Sequence, residues 1–378
     1  MKRKTLGKIS VVQISLLLIT GIGLKNHVMI IPALIQSAGR DGWLSIILAF
    51  ILISLWGFLL IYIYNGTGRG HLFSWLDRHI GTWPTTLLKV MISLYLVFLA
   101  FTTSKEMTAW TKVAYLVNTP SVFLIILFTI LCALMASTSL QSLAITNVFL
   151  LTIIVILGWF VGISNMHFKD FSLLRPVLEQ GMGPVFSGTI YTLSGAIELM
   201  MVLFLSHKVH GSINYKALAI NAFLLSFLTA GPFIGAITEF GPVEASKQTF
   251  PAYEEWSILT LGRFIEHVDF FSIYQWLSGA FIRVSLLLYI SAEVYQIKKK
   301  RTQLLLLSLY GFLIIVCVLW PVSDMTFYTL SEKIFMPLTL WFFLALSIIF
   351  GLIVWIVNGI EGGSGNAQKK SEPETGRS

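Results

Sequence analysis

Charge is scarce in this chain. Asp, Glu, Lys and Arg make up 12% of its 378 residues, while 56% are hydrophobic. An ordinary soluble domain carries about 25% charged residues, so a soluble globule is excluded. Cysteine is almost missing as well. Cys132 and Cys317 both fall inside apolar runs, which excludes a disulfide framework and leaves both as packing residues. The patterns of catalysis are absent too: no Walker loop, no HExxH, no Cys/His metal spacing. The chain is therefore expected to be no enzyme and to carry neither cofactor nor metal. Gly66, Gly68 and Gly70 alternate in a loop with no strand before it, which is not the setting of a phosphate loop. A net charge of +8 spread over short loops reads as a topology signal, with no nucleic-acid partner implied.

What the chain has in abundance is long apolar runs. They recur at about 9–36, 43–64, 84–110, 121–137, 143–163, 184–206, 217–238, 268–296, 303–320 and 337–357, and most are long enough to cross a hydrocarbon core of about 30 Å. The expected fold class is thus an all-α integral membrane protein of about ten transmembrane helices, lying in a lipid bilayer. Lys2, Arg3 and Lys4 precede an apolar run that continues past Met29 with no small-x-small cleavage site, so the first helix is read as retained. Counting Lys and Arg in alternate loops gives a two-to-one excess on the side that holds both termini, which places both ends in the cytoplasm. Residues 1–358 then form one transmembrane domain, and the Gly/Ser-rich segment 359–378 a disordered cytoplasmic tail. An outer loop at about 239–267 contains Trp256, Ile258, Leu259 and Leu261, which suit either an amphipathic segment or a solvated loop.

Two spans are interrupted. In the first, Gly21 and Gly23 stand in mid-span, followed by Lys25, Asn26 and His27. In the sixth, Ser194-Gly195-Ala196 is followed by Glu198. The interruptions fall at corresponding positions of two five-helix halves, about 9–163 and 184–357. That is the pattern of a 5+5 inverted-repeat transporter-like fold with broken helices one and six. Half-helix N-termini in such a fold suit a carboxylate, and unwound carbonyls an ammonium. Close helix packing on small residues is the other reading of the same glycines. Lys25, Glu198 and Arg283 are ionisable residues inside spans, and each needs a partner or a cavity there. Glu198 is expected to pair with Lys25 or Arg283, either as a fixed brace or as part of a ligand site. Lys105 and Glu106 are read as lying near the outer end of the third span.

Several stretches together resemble the B subunits of bacterial spore germinant receptors (the GerAB family), within the amino acid–polyamine–organocation transporter superfamily. They are Pro32-Ala33 with Ala38-Gly39-Arg40-Asp41-Gly42-Trp43, Asn118-Thr119-Pro120, and Gly183-Pro184 with Ser194-Gly195-x-x-Glu198. Phe250-Pro251, the run Arg263 to Asp269, and Trp276 follow in the family's order. The resemblance covers about Ile9 to Trp355. Val117-Asn118 and Ser206-His207 depart from it, in loops away from the interrupted helices.

The resemblance implies a subunit that binds a nutrient germinant, usually an amino acid, and that acts with A and C subunits in the inner spore membrane. The alternative function is a secondary transporter (permease) of amino acids or related solutes, which the same fold would serve. The expected ligand-binding residues are Thr20, Gly21, Gly23 and Leu24 from the first helix and Ser194, Gly195, Ala196 and Glu198 from the sixth. Tyr95 and Leu99 of the third helix complete the wall, and Lys25 and Arg283 are the intramembrane charges.

Overall fold

In a computed structural model, residues 7–259 and 268–371 are described. Lys2 to Lys4, Leu261, the run Arg263 to His267, and 372–378 fall outside the described residues. The first span opens on a two-residue strand, β1 (Ile9–Ser10), and continues as α1 (Val11–Leu24). Ser10 caps it reciprocally: its Oγ accepts from the Gln13 N–H at 3.1 Å and its own N–H donates to Gln13 Oε1 at 2.9 Å, satisfying donors that a helix start leaves free. A π-helical turn (Lys25–Met29) leads to α2 (Ile31–Ala38). The chain then reverses at Gly39, whose φ of 55° suits a residue without a side chain. Asp41 is buried just beyond and accepts from the Leu178 N–H at 2.9 Å.

The remaining helices follow in order: α3 (Gly42–Gly66), α4 (Leu72–His79), α5 (Thr82–Ala114), α6 (Ser121–Ala136) and α7 (Leu140–Ser164). The second half holds α8 (Met182–Ala196), a 3-10 turn (Ile197–Met200), α9 (Met201–Leu205), β2 (Val209–His210) and α10 (Tyr215–Ala245). Last come α11 (Pro251–Ser257), α12 (Phe270–Glu293), α13 (Lys300–Leu319), α14 (Asp324–Leu330) and α15 (Met336–Ser371). β1 pairs with β2 in parallel, Ile9 opposite Val209.

Among the described residues, nine helical segments are long and apolar enough to cross a membrane, and α6, with 16 residues, is a tenth, shorter apolar helix. Every expected span lands on a helix. The protein is thus an all-α integral membrane protein with a transporter-like arrangement. The expected disordered tail meets a helix first, because α15 runs on to Ser371. In the outer loop, α11 is a short helix with Pro251, Glu255 and Trp256 buried, so that stretch is packed rather than solvated. Cys132 is buried as expected. Cys317 is exposed on α13, which corrects its reading as a packing residue.

Burial separates the helices into two sets. In the segment Met182–Lys208, 83% of the apolar window is buried, against 17% for Leu140–Phe168. Val11–Met29 and Phe270–Glu293 are also mostly buried, at 61% and 67%. The centre of the bundle is therefore α1, α8–α9 and α12, with α1 and α5 packed on α12 and α2 and α3 on α8. These central helices carry Lys25, Glu198 and Arg283. The outer helices present exposed rings, among them Trp83, Trp159 and Trp320 near helix ends, where an indole suits the membrane–water boundary.

Candidate functional site

Both interrupted helices depart from α geometry just after the small residues, and in opposite senses. Gly21 and Gly23 stay within α1, and the widened turn begins at Lys25. Ser194, Gly195 and Ala196 stay within α8, and the tightened turn begins at Ile197. The glycine-centred unwinding expected from sequence is thus corrected to a π turn and a 3-10 turn. Both keep backbone groups bonded, as a segment at membrane depth must; within the π turn the Ile30 N–H still donates to Lys25 O at 3.1 Å.

The two turns face each other through ions. Lys25 Nζ donates to Glu198 Oε1 at 3.1 Å and to the Ser194 carbonyl at 2.9 Å. Arg283 from α12 clamps the same carboxylate, Nη1 on Oε2 at 2.7 Å and Nη2 on Oε1 at 3.0 Å. Its Nη1 also donates to the Gly21 carbonyl at 2.6 Å, and its Nε to Thr103 Oγ1 at 3.0 Å. Glu198 is completely buried, with Arg283 and Lys25 only 1% and 4% exposed. A forked guanidinium matched to a carboxylate is the geometry in which a buried pair recovers most of its desolvation cost. The Gly21 and Ser194 carbonyls, one from each irregular helix, each accept from a cation of the protein itself.

Asn26 and Gly195 make the closest approach. A Cβ built on Gly195 would stand 1.8 Å from Asn26 Oδ1, so no side chain fits there while Asn26 keeps its place. Asn26 is fully buried, and its Nδ2 donates to Thr229 Oγ1 of α10 at 3.1 Å. Its Oδ1 has no hydrogen-bond partner, a buried acceptor left free beside the triad. His27 Nδ1 bonds the Leu228 carbonyl at 2.9 Å, fixing the π turn to α10.

Comparison with known proteins identifies the family of the chain. The sequence model of the family described as "Spore germination protein" matches residues 8–325. The chain belongs to that family. Spore germination protein XB of Bacillus anthracis is 39% identical over 91% of this chain and 97% of its own length. Spore germination protein A2 of Bacillus subtilis (strain 168) is 24% identical over 81% of this chain and 87% of its own. Spore germination protein KB of the same strain is 23% identical over 70% of this chain and 72% of its own. This spore germination family member is thus a permease-like, multi-pass membrane protein of the GerAB type, and the family is not one of enzymes.

Within this family member, the residues singled out from sequence fall into two groups. Gly21, Lys25, Ser194, Glu198 and Arg283 meet in one hydrogen-bonded set, with Gly195 against it through Asn26. The others lie apart from the ions. Thr20 Oγ1 donates to the Leu16 carbonyl of its own helix. Leu24 packs 3.1 Å from the Cβ position of Gly279, and a Cβ on Gly23 would meet Leu228 at 3.0 Å. Leu99 and Ala196 are buried in the main apolar core. Tyr95 donates to Thr339 Oγ1 of α15 at 2.9 Å and stacks on Phe342.

Two participants, Thr103 and Asn26, were not among the expected site residues. Both are polar residues in apolar runs, a weak signal on their own. Glu106 is 4% exposed and accepts from Ser331 Oγ at 3.3 Å, deep in the bundle rather than at the outer end of the third span. The reason is length: α5 runs 33 residues to Ala114, so Glu106 stands two turns inside its end.

Proposed function

We propose that this chain is the germinant-sensing membrane subunit of a spore germination receptor, and that its ligand, an amino acid in the first instance, binds between the π turn of the first span and the 3-10 turn of the sixth. The observation that carries this reading is the charge pattern at the crossing. An amino acid brings one ammonium and one carboxylate, and the site offers Glu198 with two backbone carbonyls for the first and Lys25 with Arg283 for the second. In this structure the protein's own Lys25 and Arg283 occupy the Ser194 and Gly21 carbonyls. A zwitterion entering there exchanges internal contacts for ligand contacts, and so favours one arrangement of the two helices over another. Such a differential affinity is the condition for a ligand to shift a conformational equilibrium.

The matching positions of the two turns support repeat halves of about 9–163 and 184–357. The family supports partner A and C subunits, an inner spore membrane location and cytoplasmic termini as parts of the same proposal. The permease-like fold supports a second reading, transport of the same solutes.

A germination screen across amino acids, sugars and salts, in a strain relying on this receptor, tests the first reading. Gly195→Val is expected to abolish the response while the protein remains in the membrane. A normal response from both Gly195→Val and Gly21→Val would remove the site. Concentrative uptake of labelled amino acid by the reconstituted chain alone would decide for transport.

A further inference from the structure

On the face of the bundle that holds β1 and β2, three side chains from distant parts of the chain converge. His71 is the N-cap of α4, His207 follows α9, and Glu293 ends α12. One potential ligand atom from each lies within 4.8 Å of the other two. The imidazole centroids are 4.2 Å apart at a tilt of 54°. All three residues are partly buried.

The hydrogen bonds around the rings leave one nitrogen of each open. His207 Nε2 bonds Glu293 Oε1 at 2.9 Å, while its Nδ1 is buried without a partner. His71 Nδ1 bonds the side-chain amide of Gln296 at 2.8 Å, while its Nε2 is likewise buried without a partner. Two orphaned imidazole nitrogens in one cluster are unusual, because buried polar atoms ordinarily find partners. An ion at this cluster would take His71 Nε2, His207 Nε2 and a Glu293 oxygen, replacing the His207–Glu293 hydrogen bond. With the Gln296 amide turned over, its oxygen would accept from His71 Nδ1, giving up the Ser74 N–H cap at 3.4 Å. In that orientation Ser74 Oγ, 2.7 Å from the same amide, donates to it.

We infer that His71, His207 and Glu293 form a binding site for a borderline divalent transition metal such as Zn²⁺, with one coordination position open to water. Two imidazoles and one carboxylate are a donor set that suits Zn²⁺, Co²⁺ or Ni²⁺ and not Mg²⁺ or Ca²⁺. Metal–nitrogen bonds of about 2.0–2.1 Å require the three groups to draw together slightly. Lys208 opposes binding, since its Nζ stands 3.0 Å from Glu293 Oε1, but its chain is long and one-third exposed, and it can withdraw to solvent. A bound ion would tie the connection after α3 to the ends of α9 and α12. Those are the helices continuing from Glu198 and carrying Arg283, so the ion would brace the site from one membrane face. This inference does not rest on the identity of the germinant.

The test uses the full-length protein, purified without a polyhistidine tag, stripped with chelator and titrated with Co²⁺ and then Zn²⁺. Expected are one Co²⁺ per chain with the visible d–d spectrum of a nitrogen- and oxygen-ligated ion, its displacement by Zn²⁺, and a rise in melting temperature with Zn²⁺. His71→Ala and His207→Ala should each weaken binding at least tenfold and abolish the Zn²⁺-dependent rise, with His71→Asn and His207→Asn as variants that retain a polar side chain. Lys208→Ala should tighten binding, and His167→Ala should leave it unchanged. Equal Co²⁺ uptake by wild type and the His71/His207 double variant would overturn the site, as would no uptake by the wild type.

Discussion

Two groups of buried charge in this protein are built on opposite principles. At the centre, Glu198 is shared between Lys25 and Arg283, and both of its oxygens are held by cations. Toward the other membrane face, Glu239 and Glu255 lie beside a single cation, Lys169, whose Nζ is 3.4 Å from Glu239 Oε1. Asn165 bridges them, its Nδ2 donating to Glu239 Oε2 at 3.1 Å and to the Glu255 carbonyl at 2.6 Å. Glu255 Oε1 is left with no partner, pressed against the backbone at Gly235. The central group has one anion for two cations, and the outer group two carboxyls for one cation. The first holds helices together through charge. The second is relieved when one carboxyl carries a proton: burial, reinforced by Glu239 and opposed by Lys169, pushes the Glu255 carboxyl well above the usual range.

The largest expected effect comes from removing the shared anion. Glu198→Gln keeps the volume but leaves two buried cations uncompensated, which costs about 3–5 kcal/mol. Thermal unfolding of the purified protein should show a large fall, and an unchanged melting temperature would mean that the triad bears no structural load. Arg283→Lys is expected to be intermediate. An ammonium cannot reach Glu198, the Gly21 carbonyl and Thr103 at once as the fork does, and losing one charge-assisted bond costs about 1.5–3 kcal/mol. If the lysine variant melted with wild type, the forked geometry would be incidental.

The smallest effect has the opposite sign and depends on pH. A carboxyl whose pKa is raised by folding holds its proton more tightly in the folded state. Its stabilisation is therefore complete below the unfolded value, near 4.5, and is lost as pH rises toward the folded value. Glu255→Gln mimics the protonated form. It should match wild type at pH 4 and melt above it at pH 8; a constant offset at both would show that charge is not the cause.

The contrast also explains what could be read from sequence. Lys25, Glu198 and Arg283 stood out because an ionisable residue within an apolar run is costly unless partnered; Glu198, expected to pair with Lys25 or Arg283, takes both. The outer group stayed hidden because Glu239 and Glu255 lie at a helix end and in a loop, where carboxylates are ordinary. Glu106 was misplaced because apolar runs do not mark where a helix as long as α5 stops. Gly21, Gly23 and Gly195 located the irregular turns to within a turn of helix. The kind of irregularity was not legible, since it depends on which neighbours satisfy the backbone. The meeting of His71, His207 and Glu293 could not be read at all, as no short spacing links them.

The two-residue ladder between Ile9 and Val209 is the smallest element of the fold, and its placement has a mechanical consequence. It joins the chain entering the first span to the chain leaving the sixth, while the Lys25–Glu198 contact joins the same two spans at mid-depth. The two spans also pack along their length, α2 on α8, so they form one continuous seam with the ladder at one end. A relative shift of these spans at the Lys25–Glu198 contact therefore has to strain or part the ladder.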